Sequence, residues 1–159
     1  MCLQVSRNRI GMACCNVHRC AVLAFVGLVL SCSAIAHCYE LASARYQVSA
    51  ALLHAIAQQE SGGRSTALHA NPNGSVDIGL MQINSGWIGV LGRHGIREQD
   101  LWDPCVSVLV GAWILRRNFD QLGHTTQALG AYNSTNPTQR ERYASQVLRR
   151  LPPASATSR

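Results

Sequence analysis

Glu60 stands where an apolar helical pattern runs out, in the stretch Ala55-Ile-Ala-Gln-Gln-Glu-Ser-Gly-Gly63. Leu53, Ile56, Ala57 and Glu60 follow the i, i+3, i+4, i+7 spacing that places side chains on one helical face. A carboxylate projecting from an apolar stripe is costly unless it is paired or holds a proton. Partial burial raises its pKa, and a raised pKa leaves a general acid available near neutrality. Periodicity alone fits a second reading equally well, a solvated glutamate on a frayed last turn.

Two further segments carry residues able to do chemistry. In Ser75-Val-Asp-Ile-Gly-Leu-Met-Gln-Ile-Asn84, Gly79 permits close backbone approach. Met81 is a flexible apolar filler suited to a pocket floor. Gln82 and Asn84 bear amides that can bind sugar hydroxyls or an acetamido group. Asp77 is the other acid in these segments. The bland alternative is a short core helix with polar ends. In Ala131-Tyr132-Asn133, a tyrosine and an asparagine fall where a helix stops, a pattern that also suits a buried tyrosine with a capping asparagine.

The elements that must hold these residues read as helices. A short helix is expected over 38–47, and a second over 50–60 with Ser49 as N-cap. Residues 62–77, rich in Gly, Ser, Asn and Pro, read as a loop. A helical piece over Ile78–Asn84 and another near Gly86–Leu91, capped by Ser85, follow. Asp103-Pro104 is a strong start signal for a largely apolar, hence central, helix to about Leu122, ended by Gly123. Thr125 or Thr126 opens a helix toward Tyr132, and Thr138 caps a last one to about Arg150. The expectation is an all-α single domain over 37–150, with 151–159 a disordered tail.

Composition narrows the function class. The chain has 159 residues and a net charge of +6. All its cationic side chains are arginine, and they form no basic stripe interleaved with aromatics, which argues against nucleic acid as a partner. Arg7, Arg9 and Arg19 precede the apolar run Ala21–Leu30, and Ala34-Ile35-Ala36 offers small residues for cleavage. Residues 1–36 therefore read as an export signal, with Met1 or Met12 as the start, and the mature protein as periplasmic. The run falls short of the roughly 20 residues of a spanning helix. A retained anchor, or lipid attachment at Cys32, is the alternative. Cys14, Cys15, His18 and Cys20 superficially resemble zinc ligands but lie against that run with no second ligand cluster, so no metal or other cofactor is expected. Removal of the signal leaves two cysteines, Cys38 and Cys105. In an exported protein an even count argues for one disulfide, worth roughly 4 kcal/mol on the chain-entropy model.

Taken together, Glu60-Ser61, then Gly79-Leu80-Met81-Gln82-Ile83-Asn84, then Ala131-Tyr132-Asn133 resemble the goose-lysozyme-like lytic transglycosylases, in particular the small exported enzymes that accompany secretion, conjugation and pilus systems. Asp103-Pro104-Cys105 leading into Val110-Gly-Ala-Trp113 extends the resemblance over roughly residues 38–148. Ser134-Thr-Asn136 departs from it, since many relatives carry a glycine there. The resemblance implies a lysozyme-like fold with a catalytic cleft and peptidoglycan strands as substrate. It also implies a single catalytic carboxyl, Glu60, and supports the Cys38–Cys105 pairing. Ser75 and Gln82 would contact the acetamido or leaving-oxygen region. Met81 would shape the pocket, Asn84 would bind sugar, and Tyr132 and Asn133 would position Glu60 or the muramoyl unit. Tyr143 closes the same groove or belongs to the core. A hydrolytic muramidase using Asp77, and a wall-binding assembly factor, are the competing readings.

Overall fold

The computed structural model describes residues 35–153, so the expected export signal, apart from Ile35 and Ala36, lies outside the described residues together with the five cysteines that precede Cys38. Helix α1 covers 35–46. It is followed by α2 (Ala50–Ser61), α3 (Ile88–Gly92), α4 (Pro104–Leu122), α5 (Thr126–Gly130) and α6 (Pro137–Leu148). Among the described residues, no helix is long and apolar enough to cross a membrane.

Helix α4 forms the centre because it is apolar on most sides. Val108, Val110, Ala112, Ile114, Leu115 and Phe119 are all buried along it. Its start follows the sequence signal: the Asp103 side chain accepts from the Val106 N–H at 3.0 Å, and Pro104 opens the helix. The same device opens α6, where Asn136 accepts from the Gln139 N–H at 3.2 Å and Pro137 follows. Thr138, expected as that cap, is instead the second residue of the helix. Thr125 caps α5 through the Ala128 N–H at 3.1 Å. Ser49 occupies the N-cap position of α2, but its side chain makes no capping bond. Gly130 has no room for a side chain, since a Cβ there would lie 2.2 Å from the Arg140 carbonyl oxygen. That contact lets α5 and α6 pack backbone to backbone.

The helical piece expected over Ile78–Asn84 is a correction. These residues belong to a small antiparallel sheet of β1 (Leu68–Ala70), β2 (Val76–Ile78) and β3 (Ile83–Asn84), in that order. Leu68 pairs with Ile78, and Ile78 with Ile83. Between β2 and β3 the chain reverses through Gly79–Gln82, with φ of +75° at Gly79 and +48° at Gln82. Two left-handed residues three apart are incompatible with a helix. Gly79 is required twice over, because a Cβ there would also sit 2.3 Å from the Leu101 carbonyl oxygen. A short apolar run does not tell strand from helix by periodicity, and β1 falls inside the stretch read as loop. Asn84, not Ser85, caps the 3₁₀ turn Ser85–Trp87, accepting from the Gly86 N–H at 2.9 Å.

Cys38 and Cys105 form a disulfide that ties α1 to the start of α4 across 67 residues. Leu151, read from sequence as the first tail residue, packs against the core.

Candidate active site

Three helices and the sheet meet at the C-terminal end of α2. Gly62 ends that helix with φ +63°. Ser61 is buried, and its hydroxyl donates to the Leu80 carbonyl at 2.7 Å, fastening the helix end to the β2–β3 turn. Two more ties hold the same turn. The Met81 N–H donates to Ser107 Oγ of α4 at 3.1 Å, and the Tyr132 hydroxyl donates to the Met81 carbonyl at 3.0 Å. Gly111 of α4 makes room for this, since a Cβ there would meet Met81 at 2.7 Å and the Tyr132 hydroxyl at 2.9 Å. Gln82 closes the turn by donating from Nε2 to the carbonyls of Gly79 (2.9 Å) and Ala67 (3.1 Å).

Glu60 is carried into the space beside this turn and lines a cleft of about 490 Å³. The cleft brings together Ser75, Gln82, Asn84, Tyr132 and Asn133, all anticipated from sequence, with Asn71, Asp77, Trp87 and Ile114. Met81 is not among its lining residues; the side chain is fully buried, beneath the turn rather than at the pocket surface. Tyr132 lines the cleft but gives its hydrogen bond to Met81, not to Glu60. The hydroxyl that reaches Glu60 belongs to Tyr143 of α6, which donates to Oε1 in a short hydrogen bond. Of the two places open to it from sequence, Tyr143 occupies both: it is buried in the core and bonded to the carboxyl.

The electrostatics follow from this placement. Burial pushes the Glu60 pKa up to about 7; the Tyr143 bond opposes the rise, and the negative charge of Asp77 adds to it. Desolvation dominates because the phenol is the one hydrogen bond offered to the carboxyl among the described residues. Tyr143 stays protonated, since burial, Glu60 and Tyr132 all push its pKa upward.

Asp77 lines the same cleft in the opposite environment. Asn71 Nδ2 donates to one of its oxygens at 2.9 Å and Asn84 Nδ2 to the other at 2.7 Å. Both amides also reach Ser75 Oγ, which donates to Asn73 Oδ1 at 2.8 Å. This network fixes the sheet wall, and it occupies Ser75 and Asn84 with structural bonds. Trp87, a further lining residue, meets Trp113 edge to face, with ring centroids 5.6 Å apart, and the Arg117 guanidinium lies over both rings. Sequence reading passed over Asn71 and Trp87. Trp87 follows the second motif by three residues, and its aromatic character so close to Asn84 was the one available signal.

Among the described residues no cluster of His, Cys, Asp or Glu could hold a metal ion. A mainly helical domain with one desolvated carboxyl at the edge of a polar cleft defines a lysozyme-like protein. Residues 37–147 match the family described as the Transglycosylase SLT domain, and the chain belongs to that family. It is 43% identical over 120 residues to Invasion protein IagB of Salmonella typhimurium, covering 72% of this chain and 75% of that one. It is 37% identical over 129 residues to Protein IpgF of Shigella flexneri, covering 78% and 85%. With the X polypeptide of Escherichia coli strain K12 it shares 37% identity over 119 residues, 70% of each.

Proposed function

We propose that the protein is a peptidoglycan lytic transglycosylase that cleaves the β-1,4 bond between N-acetylmuramic acid and N-acetylglucosamine and leaves a 1,6-anhydromuramoyl end. The observation that carries this reading is the asymmetry of the two cleft carboxyls. Glu60 is desolvated with a pKa near 7, while both oxygens of Asp77 accept amide hydrogen bonds. Two-carboxyl glycosidases need the second group free to act as nucleophile or to activate water. Here one carboxyl is poised and the other is engaged.

Glu60, protonated, gives its proton to the leaving glycosidic oxygen as that bond breaks. The 2-acetamido oxygen of the muramoyl unit stabilises the cationic carbon. Glu60, now a carboxylate, takes the proton of the same sugar's C6 hydroxyl, whose oxygen closes on C1. No water is consumed, and Glu60 regains its proton. A pKa near the working pH suits both halves of this cycle, and ring closure within one sugar supplies proximity. Tyr143 holds Oε1 and stabilises the carboxylate formed midway. Trp87 and Ile114, which also line the cleft, offer an apolar face for a sugar ring.

The reaction takes place in the periplasm, after export by residues 1–36, and opens the wall locally for a secretion, conjugation or pilus machine. The name Invasion protein carried by relatives of similar size supports that setting.

The test is product analysis of digested peptidoglycan by mass spectrometry, wild type beside Glu60→Gln. Anhydro ends from wild type and none from the variant are expected. Reducing muramic acid ends would instead establish the hydrolytic reading with Asp77. Full complementation of a deletion by the Glu60→Gln gene would favour an assembly factor.

A further inference from the structure

The space around Glu60 does not end at the cleft. On its α6 side Glu60 also lines a groove of about 400 Å³ with Asn133, Tyr143 and Arg142, and Gln59 and Gln146 continue it into a recess of about 450 Å³ bearing Arg149 and Arg150. Gln139, Arg142, Gln146 and Arg149 recur at helical spacing, so they form one stripe about 15 Å long. Glu60 is the sole acid lining either space.

The arginines of this stripe differ from most others in the described chain. Arg97 and Arg116 pair with Asp100 and Asp120. Arg64 and Arg140 donate to backbone carbonyls, and Arg45 and Arg117 lie over aromatic rings. Arg142 and Arg149 are exposed and make no ion pair or hydrogen bond through their guanidinium groups among the described residues. Arg150 is oriented by a bond from Nε to Gln59 Oε1 at 2.9 Å, and Gln59 is itself bonded to Gln146 at 3.2 Å. Cations left open along a groove that begins at the reacting carboxyl point to an anionic extension of the substrate.

We propose that this groove binds the carboxylates of the peptide attached to the muramoyl sugar beside the scissile bond, so that the protein selects glycan strands that still carry their peptides. The inference rests on the reading of Glu60 as the cleaving acid on peptidoglycan. Continuity with the cleft favours an extension of the substrate over an acidic segment of a separate protein.

Binding of the Glu60→Gln protein to purified glycan strands, with peptides intact or removed by an amidase, tests it. Peptide-bearing strands should bind about tenfold more tightly, the sum of a few exposed charge contacts, and the preference should shrink as salt rises. Adding Arg142→Gln, Arg149→Gln and Arg150→Gln should erase the preference and leave affinity for stripped strands unchanged. Equal affinity for both strands, or a preference that survives the triple change, would overturn the groove assignment. Cleavage by otherwise wild-type protein separates the two ideas. Anhydro products with no peptide preference sink the groove alone, while a peptide preference without anhydro products sinks the reaction alone. Failure to bind either strand would dismiss both.

Discussion

The two walls of the cleft handle the same chemical group in opposite ways. On the sheet wall, Asp77 sits in a polar mesh where Asn71 and Asn84 satisfy both its oxygens. On the helical wall, Glu60 ends an apolar stripe, meets one phenol, and has its pKa pushed up to about 7. The difference is one of solvation and donor count rather than residue type. A carboxylate whose two oxygens each accept an amide hydrogen bond is tied into the wall and becomes scaffold. A carboxyl short of donors in an apolar setting keeps its proton and becomes reactive.

The largest expected effect comes from exchanging each acid for its amide. Glu60→Gln should lower wall cleavage by about 10²–10⁴-fold, the usual range for loss of a general acid–base. Asp77→Asn should cost less than about tenfold, since an amide can keep part of the mesh. A cleavage assay on both variants decides the matter, and equal losses would erase the distinction between the walls.

Stability should separate the walls next. Glu60 releases its proton near pH 4.5 when unfolded but only at about 7 when folded. Its contribution to stability is therefore complete below about 4.5 and is lost as pH rises through 7, a change of about 3 kcal/mol. Glu60→Gln should match wild type near pH 4 and exceed it by up to that amount near pH 8 in urea unfolding. Asp77→Ala should instead lose about 2 kcal/mol near neutrality because two amides lose an acceptor.

Tyr143→Phe probes the helical wall alone. The phenol favours the ionised carboxyl, so its loss should move the alkaline limb of the pH–rate profile upward by about one pH unit. An unchanged limb would mean that Tyr143 serves packing only. The smallest effect belongs to charge across the cleft. Asp77 raises the Glu60 pKa, so the Asp77→Asn profile should shift downward, by a fraction of a pH unit.

How far such a contrast is legible in sequence depends on how local its causes are. The apolar stripe leading to Glu60, the Asp103-Pro104 start of α4 and the Gly123 stop are written in consecutive residues, and the helices formed where those signals stand. The β2–β3 turn was misread because its two left-handed residues are set by contacts with Leu101 and Ala67, distant in the chain. Where Met81, Gln82 and Tyr132 sit was hidden for the same reason: Met81 is buried, and Gln82 and Tyr132 line the cleft while their hydrogen bonds go to the turn that shapes it.

By itself, then, the sequence determined that this chain is a helical domain with one carboxyl at the end of an apolar face, because helix periodicity and capping act over a few residues. Only the tertiary structure decided which hydroxyl reaches that carboxyl. Tyr143 lies 83 residues away along the chain, and its hydroxyl arrives because Gly130 lets α5 and α6 pack closely enough to set α6 against α2. A proton's affinity for Glu60 is fixed by everything that excludes water around it, and that enclosure exists only once the distant segments have met.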